Sequence, residues 1–291
     1  MFPGSLVPII TPFRQGKVDR DGLERVIEHV LAGGSDGIIP CGTTGESATL
    51  SHEEHEEVIR WTIEIVRRRV PVIAGTGSNS TAEAIRLTQG AEKAGAQGAL
   101  LISPYYNKPT QAGIIQHFKA VAAATRLPVL FYNIPGRTMS NLTPETQVEL
   151  SRVKNLVGVK EASGSMSQIQ DVIAGAGPDF LVFAGDDQMT LPTIAAGGHG
   201  AIAVTSNVAP REMTEIVDAL LANDMVTARA RLYALLPLIR ALNTLEVNPL
   251  PVKTALAMMG LCAEEFRLPL TTMSPGPRVA LETVMRERRL V

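Results

Sequence analysis

Eight short apolar runs rich in Val and Ile, bounded by Gly, Pro or Asn, alternate along the chain with segments of helical period. They lie at 6–10, 37–40, 71–74, 99–102, 128–132, 156–160, 180–183 and 201–204, in steps of 20 to 34 residues. In the intervening stretches the apolar period shifts toward that of a helix. Leu23, Val26, Ile27, Val30 and Leu31 share one face, and Gly33 with Gly34 stops that helix. Ser51, Ser80 and Ser165 each precede a Glu or Gln by three positions, the capping-box pattern, and Thr143 offers a capping hydroxyl ahead of Pro144.

Continuous apolar strands separated by helices imply a parallel sheet covered on its faces, and eight such units imply closure. The expected fold is therefore α/β, an eight-stranded parallel (β/α)8 TIM barrel. An open doubly wound sheet is the rival, but the first strand is followed by Thr11-Pro12-Phe13-Arg14-Gln15-Gly16 and not by a Gly-rich dinucleotide fingerprint. Beyond Asn223 the strand signal ends. Residues 1–222 are expected to form a catalytic barrel and 223–291 a C-terminal helical extension, broken near Asn248-Pro249-Leu250-Pro251 and Pro275-Gly276-Pro277. No low-complexity linker separates the two, so the extension is expected to pack on the barrel.

Charge excludes little by itself, but a net charge of -2 gives no bias toward nucleic acid or an anionic membrane surface. The basic run Arg67-Arg68-Arg69 falls at a helix end, where cations suit the dipole. Two cysteines, Cys41 and Cys262, are too few for a disulfide framework or a structural zinc site, which suits a reducing compartment. No run of 18 apolar residues occurs and no basic segment precedes an apolar one near Met1, so a soluble, cytoplasmic protein is expected.

In a barrel of this kind chemistry gathers where strands end. The second run ends in Gly42-Thr43-Thr44-Gly45-Glu46, the fourth in Ser103-Pro104-Tyr105-Tyr106, the fifth in Tyr132-Asn133, the sixth in Lys160-Glu161 and the seventh in Gly185-Asp186-Asp187. Strand alternation sets Lys160 on the face of Gly158, with Gly158 leaving space beneath it and Val157 and Val159 packing outward. An amine desolvated there loses basicity and becomes a nucleophile toward carbonyls. The plainer reading is a lysine that reaches water or pairs with Glu161. Tyr132, 28 residues earlier at the matching strand position, would stand beside it as a proton-transfer group. Thr43 and Thr44, with the amides of their loop, suit a small carboxylate, although such loops are common turns. Arg137 suits a second carboxylate, although a lone loop Arg is usually solvated.

Taken together, these strand-end motifs, with Tyr105-Tyr106-Asn107-Lys108-Pro109, Asn133-Ile134-Pro135-Gly136-Arg137-Thr138, Val159-Lys160-Glu161-Ala162-Ser163-Gly164 and Asn248-Pro249-Leu250-Pro251-Val252-Lys253, resemble the dihydrodipicolinate synthase family almost end to end. The resemblance implies that Lys160 forms a Schiff base with pyruvate, whose enamine then attacks L-aspartate 4-semialdehyde on the route to diaminopimelate and lysine. It implies no metal and no cofactor beyond that covalent adduct. By the same resemblance Tyr132, Thr43 and Tyr106 form a proton relay, with Tyr106 entering from a neighbouring subunit of a homotetramer. Thr44, Gly185 and the main chain of Ile202 match substrate-holding positions, and Arg137 matches the residue that receives the semialdehyde carboxylate. Ser47, Ala48, His52, His55, Asn79, Glu83 and Tyr105 match the site at which L-lysine inhibits some members. The ordinary reading of both histidines is exposure in the first turn of a helix. A sibling such as N-acetylneuraminate lyase or a 2-keto-3-deoxy sugar acid aldolase shares the Lys/Tyr pair, and a non-catalytic keto-acid-binding barrel is the remaining class of reading.

Overall fold

The computed structural model describes residues 2–291. Eight strands form the barrel: β1 (Gly4–Pro8), β2 (Gly37–Ile39), β3 (Ile73–Gly75), β4 (Gly98–Ile102), β5 (Val129–Asn133), β6 (Leu156–Glu161), β7 (Leu181–Ala184) and β8 (Gly200–Ile202). Every pairing among them is parallel, in the order β2-β1-β8-β7-β6-β5-β4-β3. A bridge between Ile38 and Val72 closes the ring, flanked by hydrogen bonds from Ile38 N to Pro71 O (3.0 Å) and from Gly75 N to Pro40 O (2.9 Å). The eight-unit closure expected from the apolar stride is thus the observed architecture. In place of a dinucleotide-binding turn, the segment after β1 folds into a two-residue antiparallel hairpin, Phe13–Arg14 against Lys17–Val18.

Helices α1 (Arg20–Ala32), α2 (His52–Val66), α3 (Thr81–Ala94), α4 (Gln111–Ala123), α5 (Pro135–Thr138), α6 (Pro144–Leu150), α7 (Met166–Ala176), α8 (Thr190–Ala195) and α9 (Pro210–Leu221) follow the strands. Three more, α10 (Met225–Thr244), α11 (Leu250–Met258) and α12 (Pro275–Glu287), complete the chain. Pro275 and Pro277 open α12 and do not break a helix, because the first-turn amides that proline lacks have no intrahelical partner anyway. None of the helices among the described residues is long and apolar enough to cross a membrane. Cys41 and Cys262 are both free and buried.

Side-chain alternation divides the core into layers. Leu6, Ile39, Ile73, Leu100, Leu130, Leu181, Phe183 and Ile202 fill the ring, whereas Leu101, Phe131, Val159 and Val182 turn outward to pack beneath the helices. Only one of the two valines flanking Gly158 follows that outward rule. The register between β5 and β6 slips after Val129, so Leu130 faces Gly158, and Val157 packs against the inner cluster. Gly158 also leaves no cavity under Lys160, contrary to expectation. A Cβ there would lie 2.4 Å from the Leu181 carbonyl oxygen and 2.9 Å from Leu130 Cδ2, so the glycine permits close strand contact.

The capping motifs divide in an informative way. Ser51 and Glu54 form the full reciprocal box. Ser80 and Ser165 accept from the amides of Glu83 and Gln168, but those two side chains bond elsewhere: Glu83 to Ser78 and His52, Gln168 to Asn141 and Glu161. Tertiary partners outcompeted the local cap. The basic run likewise lies past its helix, with Arg67 and Arg68 in the left-handed region and Arg69 reaching back to the Ile65 and Val66 carbonyls while gripping Glu28.

Gly158→Ala should lower folding stability by about 1–3 kcal/mol, the usual cost of overpacking, as read by chemical denaturation. An unchanged midpoint would mean that β6 and β7 separate freely at this point.

Candidate active site

Lys160 and Tyr132 are register partners on adjacent strands, and both face the interior of the ring. Lys160 is 5% exposed and Tyr132 6%. The Lys160 Nζ lies over the phenol ring, 4.3 Å from its centroid, instead of hydrogen-bonding the hydroxyl. A cation over a π face is attracted to it but keeps little of its hydration. Burial lowers the Lys160 pKa to about 8, with Arg137 acting in the same direction and Asp187 and Asp186 opposing it. Burial also pushes the Tyr132 phenol up, which keeps it protonated and able to donate.

Glu161, the alternative partner for the amine, is fully engaged elsewhere. Its carboxylate accepts from Asn133 Nδ2, Gln147 Nε2 (2.7 Å), Gln168 Nε2 (3.1 Å) and the Ser163 amide (2.7 Å), on the opposite face of β6. Lys160 therefore neither pairs with Glu161 nor reaches water. Gly185 sits against its stem: a Cβ there would lie 3.0 Å from Lys160 Cγ and 2.8 Å from the Ala162 methyl group. Asp187, to which the sequence reading gave no role, is 1% exposed and accepts from the amides of Val204 and Thr205, the Thr205 hydroxyl and Asn243. It thereby braces the segment that follows Ile202 at the end of β8.

The loop after β2 is a compact turn. Gly45 N and Ser47 N donate to Gly42 O and Glu46 N donates to Thr43 O, whereas the Gly42, Thr43 and Thr44 amides are not used within the turn. With the threonine hydroxyls these amides can hold a small anion. The Thr44 hydroxyl accepts from Asn248 Nδ2 (3.1 Å), and the Asn248 carbonyl accepts from the Arg137 guanidinium (3.0 Å). Arg137 lies on the short helix α5 and is exposed at the mouth, but this contact orients it. Asn248 comes from the C-terminal segment, more than 100 residues from either partner. Only its place within a motif marked it in the sequence.

Tyr106 stands apart from the other candidates: it is 87% exposed with φ 73°, and its hydroxyl is not part of this chain's own Lys160 cluster. The residues matched to a regulatory ligand do gather in part. His52 Nε2 is 2.8 Å from Glu83 Oε1, Asn79 Nδ2 donates to Tyr105 O (3.1 Å), and Ser47 with Ala48 forms the short turn (Ser47–Thr49) just ahead of α2. His52 is exposed as expected. His55 is not: it is 5% exposed, with Nε2 2.9 Å from Gly75 O, and burial lowers its pKa so that the imidazole stays neutral. α2 turns that side of its first turn toward β3, so helix position alone misjudged the residue.

A model of the dihydrodipicolinate synthetase family matches residues 1–288. The 4-hydroxy-tetrahydrodipicolinate synthase of Syntrophus aciditrophicus is 53% identical over 291 residues, covering all of both chains. Dihydrodipicolinate synthase from Acinetobacter baumannii, solved in complex with pyruvate, superposes with a TM-score of 0.98 at 41% identity over the whole of both chains. The enzyme from Cyanidioschyzon merolae with lysine bound gives 0.96 at 38% identity, covering 100% of this chain and 99% of that one.

With a folded-state pKa of about 8 against 10.5 for a free lysine, between those two values residue 160 is largely deprotonated in the native chain while the unfolded chain still holds the proton. Stability should therefore rise with pH across that window, and the neutral amine should predominate above pH 8. Carbon-13 NMR of labelled lysines, assigned with Lys160→Ala, should reveal that titration; a Lys160 signal moving with the surface lysines would contradict the burial.

Proposed function

The chain belongs to the dihydrodipicolinate synthetase family, and on that premise we propose that it is a 4-hydroxy-tetrahydrodipicolinate synthase, condensing pyruvate with L-aspartate 4-semialdehyde through a Schiff base on Lys160. The observation that carries this reading is the buried amine of Lys160, lowered to a pKa of about 8, against the face of Tyr132 inside a closed ring.

The chemistry follows from those two groups. The neutral amine adds to the keto carbon of pyruvate, and loss of water gives an iminium. That iminium is an electron sink, so the pyruvate methyl group loses a proton and becomes an enamine carbon. The enamine carbon then bonds to the aldehyde carbon of the second substrate, whose oxygen takes up a proton, and the amino group of the semialdehyde adds to the regenerated iminium carbon, closing the ring and expelling the Lys160 amine. Tyr132, whose ring lies against the amine, gives and takes the protons, and Thr43 at the adjoining loop extends the path toward solvent. Thr44, its free amide and the main chain at Ile202 receive the pyruvate carboxylate beside Gly185, and Arg137 receives the carboxylate of the semialdehyde. No metal or organic cofactor enters this scheme. The exposed Tyr106 fits a relay completed across a subunit contact, within a homotetramer of paired dimers. The residues grouped around His52 and Glu83, with Ser47, Ala48, His55, Asn79 and Tyr105, fit an inhibitory site for L-lysine, in keeping with the lysine-bound enzyme from Cyanidioschyzon merolae.

Borohydride with pyruvate should add mass at Lys160, and Lys160→Ala should abolish that adduct; a parent protein that traps nothing would overturn the scheme. Tyr132→Phe should retain some adduct while turnover falls on the order of a hundredfold, as for loss of a general acid-base group. Arg137→Ala should chiefly raise the semialdehyde concentration needed for half-maximal rate, and an unaltered dependence would remove its assigned role. Saturating L-lysine should slow the coupled reaction; an undiminished rate would count against the inhibitory site.

A further inference from the structure

One buried charge pair lies outside the groups assigned so far. Lys253 on α11 and Glu46 at the end of the threonine loop are 207 residues apart in sequence, and neither side chain has any solvent exposure. Lys253 Nζ lies 2.6 Å from Glu46 Oε1, with the ring centroids of Phe13 and Phe266 at 4.0 and 5.2 Å. The neighbouring guanidinium of Arg267 is committed to Glu54, with two contacts of 2.6 Å, and to the carbonyls of Gly16 and Thr49. Among the described residues Lys253 is the single cation in an ion pair with Glu46.

Glu46 needs such an anchor. Its φ of 52° lies in the left-handed region, which a non-glycine residue keeps only where surrounding contacts enforce it. Its amide donates to Thr43 O (3.1 Å) and its carbonyl accepts from the Thr49 hydroxyl (3.1 Å), so the carboxylate sits at the closing corner of the turn that presents Thr43 and Thr44. The same C-terminal segment holds the Thr44 hydroxyl through Asn248. Burying two charges costs about as much desolvation as their attraction returns, so such a pair adds little stability over apolar side chains of similar volume. Fixing the geometry of the turn is the contribution apolar side chains would not replace.

We propose that Lys253 is a positioning residue, which through Glu46 sets the Thr43–Thr44 turn at the spacing a keto-acid carboxylate requires above Lys160. The proposal rests on reading the site as a pyruvate site, as above. Lys253→Met alone strands a buried carboxylate and is expected to destabilise the chain, so the decisive variant is Glu46→Met with Lys253→Met. This double variant should melt near the parent temperature. Its half-saturating pyruvate concentration should rise about tenfold or more while turnover at saturation changes by less than about threefold, the pattern for misplaced binding groups. Amide hydrogen exchange over residues 42–49 should quicken, with α10 unchanged. Parent-like pyruvate dependence with parent-like exchange would overturn the proposal. A double variant that fails to fold would overturn it too, because the pair would then be a requirement of folding. A parent protein that forms no adduct at Lys160 would instead defeat the site reading, and the exchange of residues 42–49 would still decide whether the pair holds the turn.

Discussion

An ammonium group held out of water inside a ring of parallel strands is the constraint around which the rest of this molecule is arranged. Every neighbour of Lys160 that might restore its hydration or charge is directed elsewhere. Glu161, adjacent in sequence, is saturated by amide donors on the other face of β6. Tyr132 presents ring surface, and Asp187 turns its carboxylate to backbone amides and a hydroxyl. Burial is the largest influence on the amine and lowers its basicity, and the more distant acidic groups only moderate that effect.

Around that amine the mouth of the barrel is assembled from distant parts of the chain. The turn after β2 carries two threonines, the short helix after β5 carries Arg137, and the segment entering α11 carries Asn248, which bonds to both. The helices beyond α9 thus do more than cover apolar surface: they reach over the open end of the ring. A strand bundle ending at α9 would have the same inner core but nothing to bridge Thr44 and Arg137.

The points at which reading along the chain went astray have a common cause. Gly158 suggested empty space, yet a missing side chain allows neighbouring strands to close in, and they did. Val157 suggested strict alternation, which a register slip broke. Glu83 and Gln168 suggested local caps, but charged and amide partners arrived from other elements. His55 suggested exposure from its helix position, and the helix was rolled so that this face met β3. In each case a rule of local geometry was displaced by a contact made outside the element itself.

What the chain determined alone was whatever repeats or terminates: eight apolar runs, the helices between them, and the polar residues that end the runs, including Lys160, Tyr132, Thr43 and Thr44. Periodicity and strand ends are local properties, and the chemistry of a side chain is carried by its type. Tertiary structure alone decided which of these side chains lost their water, that the amine lies over the phenol ring and not against its hydroxyl, and that Asn248 and Lys253 meet the threonine turn. Desolvation and long-range contact depend on how the ring closes and where the last helices dock, and neither is written in any short stretch of sequence.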